Sequence, residues 1–340
     1  MSNLLRSAPT KATILALGFL LHGCGGSGGS GPIPTTSGIN ATIIPGTANV
    51  SQEMVEGLKD AVTSWESRLQ NNVNIRIRIE LRNLGNPAIP VQTRVSTKNY
   101  SYLQVYNALN RRKISGDDKS ALDSLATPPT FPLTLSRTSN NPNGSGSSTP
   151  YVDRNGDANN AQIMVTHCLA KALGIYQGVA GEVDAVITYN SQVPWSFARN
   201  NVPDDEFDYV GYSLRELGKA FGFYSGLDKF AELTQRSGPQ RDSAVPFVTV
   251  LDLFRYAAQD KPEWTIDGRA KYFSVDGGET KEANFSTGII FGDGNTASSW
   301  QATTGEEPKT GIFDHRNVTG NLGGITGTDR KALDVIGWEL

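Results

Sequence analysis

Histidine is scarce in this chain: His22, His167 and His315 are the only three in 340 residues. They are neither adjacent nor at helical spacing, so the paired ligands that hold zinc on one helix face are missing. Cysteine is scarcer still, at two residues, Cys24 and Cys168, which excludes a disulfide framework and a C-x-x-C redox pair. There is no G-x-S-x-G elbow and no phosphate-binding loop; the glycine-rich "GDGN" (292–295) fits a turn. A formal charge of −3 leaves no overall basic field for nucleic acid. No apolar run is long enough to span a bilayer.

What is present begins with a leader. Arg6 and Lys11 precede the apolar "ATILALGFLL" (12–21), and "LHGC" (21–24) follows. This order resembles a bacterial lipoprotein signal over 1–23, with Cys24 lipidated as the new N-terminus; an ordinary secretory signal cleaved nearby is the alternative. Both export the protein, and the first implies a membrane anchor through Cys24. Gly25, in place of aspartate, is compatible with sorting to an outer membrane or cell surface. A Gly/Ser/Pro-rich tether is expected over 24–45.

Residues 46–340 read as one domain. Met54, Val55, Leu58, Val62, Trp65 and Leu69 recur at helical spacing behind a capping Ser51, which predicts a helix over 51–69. "NVNIRIRIEL" (72–81) alternates strictly and predicts a half-buried strand. Further helices are expected over 100–112, 208–226 and 329–340, a strand at "DAVITYNS" (184–191), a hairpin near 271–280 and a polar, flexible loop over 138–150. Cys168 sits in apolar sequence and reads as a core thiol. Asp153, Asn155 and Asp157 stand at alternate positions, as in a calcium loop, but Ala158 and Met164 occupy the places of the glycine and glutamate that an EF-hand requires, so a solvated turn is the better reading.

"SLRELGKAFGFY" (213–224) carries Glu216 and Gly222 in the frame of a metalloprotease helix, with Arg215 and Lys219 where H-E-x-x-H has histidines. Alone, such a window equally describes a surface ion pair. The blocks around it are more specific in combination: "DAVITYNS", "LDLFRY" (251–256), "YFSVDGG" (272–278), "GDGNTASSW" (292–300), "GIFDH" (311–315) and "ALDVIGWEL" (332–340). In this order the chain resembles bacterial secreted zincins of a PEP-CTERM-associated, metzincin- or leishmanolysin-like type. The resemblance implies that the third zinc histidine corresponds to Ser299 and the Met-turn methionine to Phe313. All three ligand positions then lack histidine, and a rescued metal site would need His167 and His315 to converge.

The expectation is therefore an α+β, zincin-like domain. Its upper half, about 46–228, should hold a twisted mixed sheet and the helix of Glu216; its lower half, about 229–340, should be irregular and helical. "DAVITYNS" resembles the edge strand on which zincins lay an extended substrate. Arginine and lysine repel a cation and, when protonated, donate no lone pair. Glu216 is then a general base left without metal-bound water, and Lys219, three residues on, is its expected partner. Arg215 should point elsewhere on the helix. The chain reads as a pseudoprotease binding a polypeptide in the old cleft, with no cofactor and no nucleic acid. The other two readings are a zinc endopeptidase with non-standard ligands and a purely structural envelope protein.

Overall fold

The structure is a computed structural model that describes residues 38–301, 310–314, 319–321 and 323–340. The leader, Cys24, His22 and His315 lie outside these residues. In chain order the first part runs β1 (Gly38–Pro45), α1 (Gln52–Glu66), β2 (Asn72–Arg82), β3 (Val91–Val95), β4 (Thr97–Ser101), α2 (Tyr102–Arg112) and α3 (Gly116–Ser124). It continues with β5 (Leu133–Leu135), β6 (Tyr151–Asp153), α4 (Ala158–Ala161), β7 (Gln162–Thr166), α5 (His167–Ala172) and β8 (Ala185–Asn190). The rest comprises β9 (Trp195–Ser196), β10 (Phe207–Asp208), α6 (Tyr209–Ala220), α7 (Leu227–Ser237), β11 (Arg255–Ala258), β12 (Lys261–Pro262), β13 (Lys271–Phe273), β14 (Ala283–Phe285) and α8 (Gly327–Val335). The class is α+β. Among the described residues no helix is long and apolar enough to cross a membrane.

The main sheet has the order β1-β2-β8-β3. β1, β2 and β8 are parallel, and β3 runs antiparallel to β8. The alternation in β2 does what it predicts: Val73, Ile75, Ile77 and Ile79 are buried on one face. Each contributes on the order of 1.5–3 kcal/mol relative to exposure. Ser51 Oγ accepts from Met54 N–H at 3.2 Å and starts α1. α1 then lays Met54, Leu58, Ala61, Val62 and Trp65 into the core. It approaches α6 closely because Gly57 has no side chain: a Cβ there would lie 2.8 Å from the Tyr209 ring. Tyr209 O–H donates to Met54 O at 2.9 Å, and Trp65 Nε1–H to Leu214 O at 2.9 Å.

Three expectations need correction. Residues 38–45 are not tether but β1, paired with β2 from Gly38↔Asn72 to Pro45↔Ile79. "DAVITYNS" is not the edge: β8 lies between β2 and β3, so the edge on that side is β3. The chain reaches the rim first as β3 and returns inside it as β8, an order that local sequence does not reveal. The lower half is more than helical, since β12-β11-β13-β14 form a second, antiparallel sheet. Its strands are too short for a period-2 pattern to stand out.

The 138–150 loop has no regular structure, as expected, but Asn141 is buried and donates to Ser147 O at 3.0 Å and Thr149 O at 2.9 Å. Cys168 is buried, and burial pushes its thiol well up. The chain closes with Trp338 under α6, its Nε1–H donating to Phe221 O at 2.7 Å.

Candidate functional site

α6 is enclosed on nearly every side: of its residues only Arg215 and Lys219 keep partial exposure, and Tyr209, Ser213, Glu216, Leu217 and Ala220 are buried. Tyr189 of β8 meets Ser213 at 2.7 Å, hydroxyl to hydroxyl, while Ser213 Oγ–H donates to Tyr209 O at 2.7 Å. This joins the helix to the sheet. The helix stops at Phe221, and Gly222 takes φ 111°, a conformation that side chains disfavour. Phe223 N–H reaches back to Gly218 O at 3.0 Å and closes the end.

Glu216 is fully buried, and its carboxylate faces two cations. Lys219 Nζ donates to both oxygens, each at 2.7 Å. Arg215 Nη1 donates to Oε1 at 3.1 Å. The pairing with Lys219 is as anticipated; the role of Arg215 is a correction. Its Cα is adjacent to that of Glu216, but its side chain is long enough to fold its guanidinium into the site. Arg215 Nη2 continues to Ser299 Oγ at 2.9 Å, and Ser299 Oγ meets Thr296 Oγ1 at 2.6 Å. Arg215, Glu216, Lys219 and Ser299 therefore form one connected cluster, although 84 positions separate Arg215 from Ser299. On the sheet side, the buried Thr93 hydroxyl of β3 lies beside Glu216 and helps to hold its carboxyl down.

Burial works to raise the Glu216 carboxyl, but Lys219 and Arg215 outweigh it and hold the group below the ordinary range. Lys219 is pushed down to about 8, first by burial and then by Arg215, with Glu216 opposing. Both shifts are downward, but the first favours the charged form of Glu216, which faces two opposite charges, and the second disfavours the charged form of Lys219, which is buried and faces one opposite and one like charge.

Phe313, which the resemblance would set at a Met-turn, lies directly beneath the helix. Its ring stacks on Phe223 with centroids 3.7 Å apart and lies against Trp65 at 6.3 Å. Gly218 makes room for it, since a Cβ there would stand 2.3 Å from Phe313 Cζ. Trp300 N–H donates to Phe313 O at 3.0 Å, and Trp300 Nε1–H to Asp329 Oδ1 at 2.9 Å. This ties the segments of Ser299 and Phe313 together. Burial raises Asp329 to about 6.

A further support was not visible in the sequence. Asp228, at the start of α7, accepts Ile289 N–H at 3.0 Å and Ala297 N–H at 2.8 Å, and so fixes the loop that ends in Thr296 and Ser299. Arg255 is fully buried, lies 4.1 Å above the Phe285 ring and donates to Ala297 O.

This donor set does not fit a zinc ion. The three positions that the resemblance gives to ligands carry a guanidinium, an ammonium and a hydroxyl already engaged by both its neighbours, and neither protonated cation has a lone pair to donate. His167 lies on α5, its Nδ1 3.4 Å from Glu182 Oε1 and its ring 4.8 Å from Tyr176. No contact joins it to Glu216 among the described residues. The calcium-like loop uses its oxygens internally: Asp153 accepts from Asn155 N–H at 3.2 Å and Asn159 Nδ2–H at 2.8 Å, and Asn155 Oδ1 from Asp157 N–H at 2.9 Å. Among the described residues no group of three or more His, Cys, Asp or Glu side chains is arranged to hold a metal.

No protein-family model, no characterised protein and no solved structure matches this chain.

Proposed function

We propose that this is an exported, lipid-anchored protein with a zincin-like domain that has exchanged peptidase chemistry for polypeptide binding. The observation that carries the reading is the placement of β3. Among the described residues it has a strand partner on one side only, β8, and α6 packs against it with Glu216 beside Thr93. An unpaired edge presents a row of backbone donors and acceptors to an extended chain, which adds affinity through main-chain hydrogen bonds.

The site beneath that edge supports binding over hydrolysis. Peptide hydrolysis by a lone carboxylate requires an activated water, and here both Glu216 oxygens are taken by Lys219. Arg215 and Lys219 fill the space in which a metal would activate that water.

The test is a fluorescence-anisotropy titration with an extended Thr/Val-rich peptide and its copy N-methylated at alternate residues. The expected result is saturable binding of the first without cleavage, and loss of binding on methylation. Equal binding of both peptides, or zinc-dependent cleavage sensitive to a chelator, overturns the proposal.

A further inference from the structure

The Arg215–Glu216–Lys219 cluster is not electrically closed. Two cations face one carboxylate, leaving a net single positive charge, while Arg215 and Lys219 are only 13% and 15% exposed. A charge held that far from water calls for a counter-ion. Asp228 is a further carboxylate whose field reaches Lys219 and offsets part of that charge, since Arg255 nearby has Asp252 at 3.7 Å; but the Asp228 oxygens accept from Ile289 and Ala297 N–H and give the two cations no acceptor.

The donors are not exhausted either. A guanidinium has five N–H groups and an ammonium three. Arg215 gives Nη1 to Glu216 and Nη2 to Ser299, and its Nε–H is buried with no acceptor. Lys219 gives two of its three N–H groups to the Glu216 oxygens. The pair thus leaves at least two donors without an acceptor.

We infer that the Arg215–Lys219 pair recognises a carboxylate on the extended polypeptide held along β3. A carboxylate supplies one charge and two oxygens in the plane that a guanidinium matches. A phosphate dianion would invert the charge of the cluster instead of balancing it. The carboxylate comes either from an aspartate or glutamate side chain or from the chain's C-terminus; the chemistry is the same. The inference rests on the β3 reading for the orientation of the ligand.

Three labelled Thr/Val-rich peptides separate these sources: one with a central glutamate and an amidated end, one with a central glutamine and a free C-terminal carboxylate, and one with a central glutamine and an amidated end. At least one acidic peptide should bind about tenfold tighter than the neutral one, the gain of one charge-assisted contact. That gain should fall below about twofold in both Arg215→Met and Lys219→Met. The neutral peptide, measured on each variant, is the reference from which that gain is taken. The two variants check each other, and near-ultraviolet circular dichroism reports their fold.

Equal binding of all three peptides overturns the carboxylate site and leaves strand addition standing. If none binds, N-acetylglutamate methylamide, which has no strand to add, decides the matter. Its saturable millimolar binding, lost in Lys219→Met, keeps the carboxylate site while the strand reading falls. Its failure to bind overturns both. Inorganic phosphate competing as strongly as that compound overturns the choice of ligand.

Discussion

Replacing Glu216 by glutamine removes the single negative charge between two cations and leaves the shape of the side chain almost unchanged. Lys219 then loses both its 2.7 Å partners, and Arg215 loses the 3.1 Å contact. Removing one member of a buried ion pair costs roughly 3–5 kcal/mol, because the remaining charge is left uncompensated. Residual exposure of 13% and 15% at the two cations draws the expected loss toward the lower end, about 3 kcal/mol. Urea denaturation at neutral pH, followed by tryptophan fluorescence, measures it. Glu216→Gln, Lys219→Met and the double variant complete a cycle, in which the coupling should exceed about 1 kcal/mol.

The pH dependence adds a second readout. The stabilisation from Glu216, whose carboxyl is held below its ordinary range, is present above the unfolded value of 4.5 and is lost as pH falls through the folded value. Lys219, lowered from 10.5 to about 8, makes the unfolded chain bind more protons between those values. Stability should therefore rise with pH across that window, and Lys219→Met should reduce the rise, leaving the part that Lys271, also lowered by burial, supplies. A Glu216→Gln protein within about 0.5 kcal/mol of the parent, or a flat cycle, refutes the account of the cluster.

Gly218→Ala forces a methyl group to within 2.3 Å of Phe313 Cζ and should cost about 2–3 kcal/mol in the same assay, and the same step should cost much less when made in a Phe313→Ala background. Asp334 of α8 accepts from Ser115 Oγ at 2.8 Å and is raised to about 7, first by burial and then by Asp118. Its contribution to stability is complete below the unfolded value of 3.8 and is lost as pH rises through about 7. Asp334→Asn, which keeps an acceptor for Ser115, should then gain about 1 kcal/mol at pH 8 and nothing at pH 3.5, as read by thermal or urea unfolding.

The parts of the fold legible in the sequence are those whose signal is local and long. α1 has an apolar stripe and a capping serine over fifteen residues, and β2 alternates through eleven. β1 escapes because "GINATIIP" mixes Asn and Thr into a short run whose parallel partner begins 34 positions later, Gly38 against Asn72. That β3 is the edge and β8 is not depends on pairing, which neither strand's composition records. At the site, the i,i+3 spacing of Glu216 and Lys219 fixes their contact in any helix. The Cα of Arg215 directs it away from Glu216, but the reach of its flexible side chain brings the guanidinium back to that carboxylate. Thr93, Thr296 and Asp228 left no signal, because polar residues of ordinary type acquire meaning only from what folding sets beside them.

β1 also determines how the domain would bear a load. Tension from the chain ahead of Gly38, drawn along the strand axis, meets the eight residue pairs that β1 forms with β2. Those pairs share the force in shear instead of opening one after another, as they would if the strand were peeled from its end. A chain gripped along β3 would pull on the opposite rim of the same four strands. On that reading the sheet would carry the traction from one rim to the other through its four hydrogen-bonded strands.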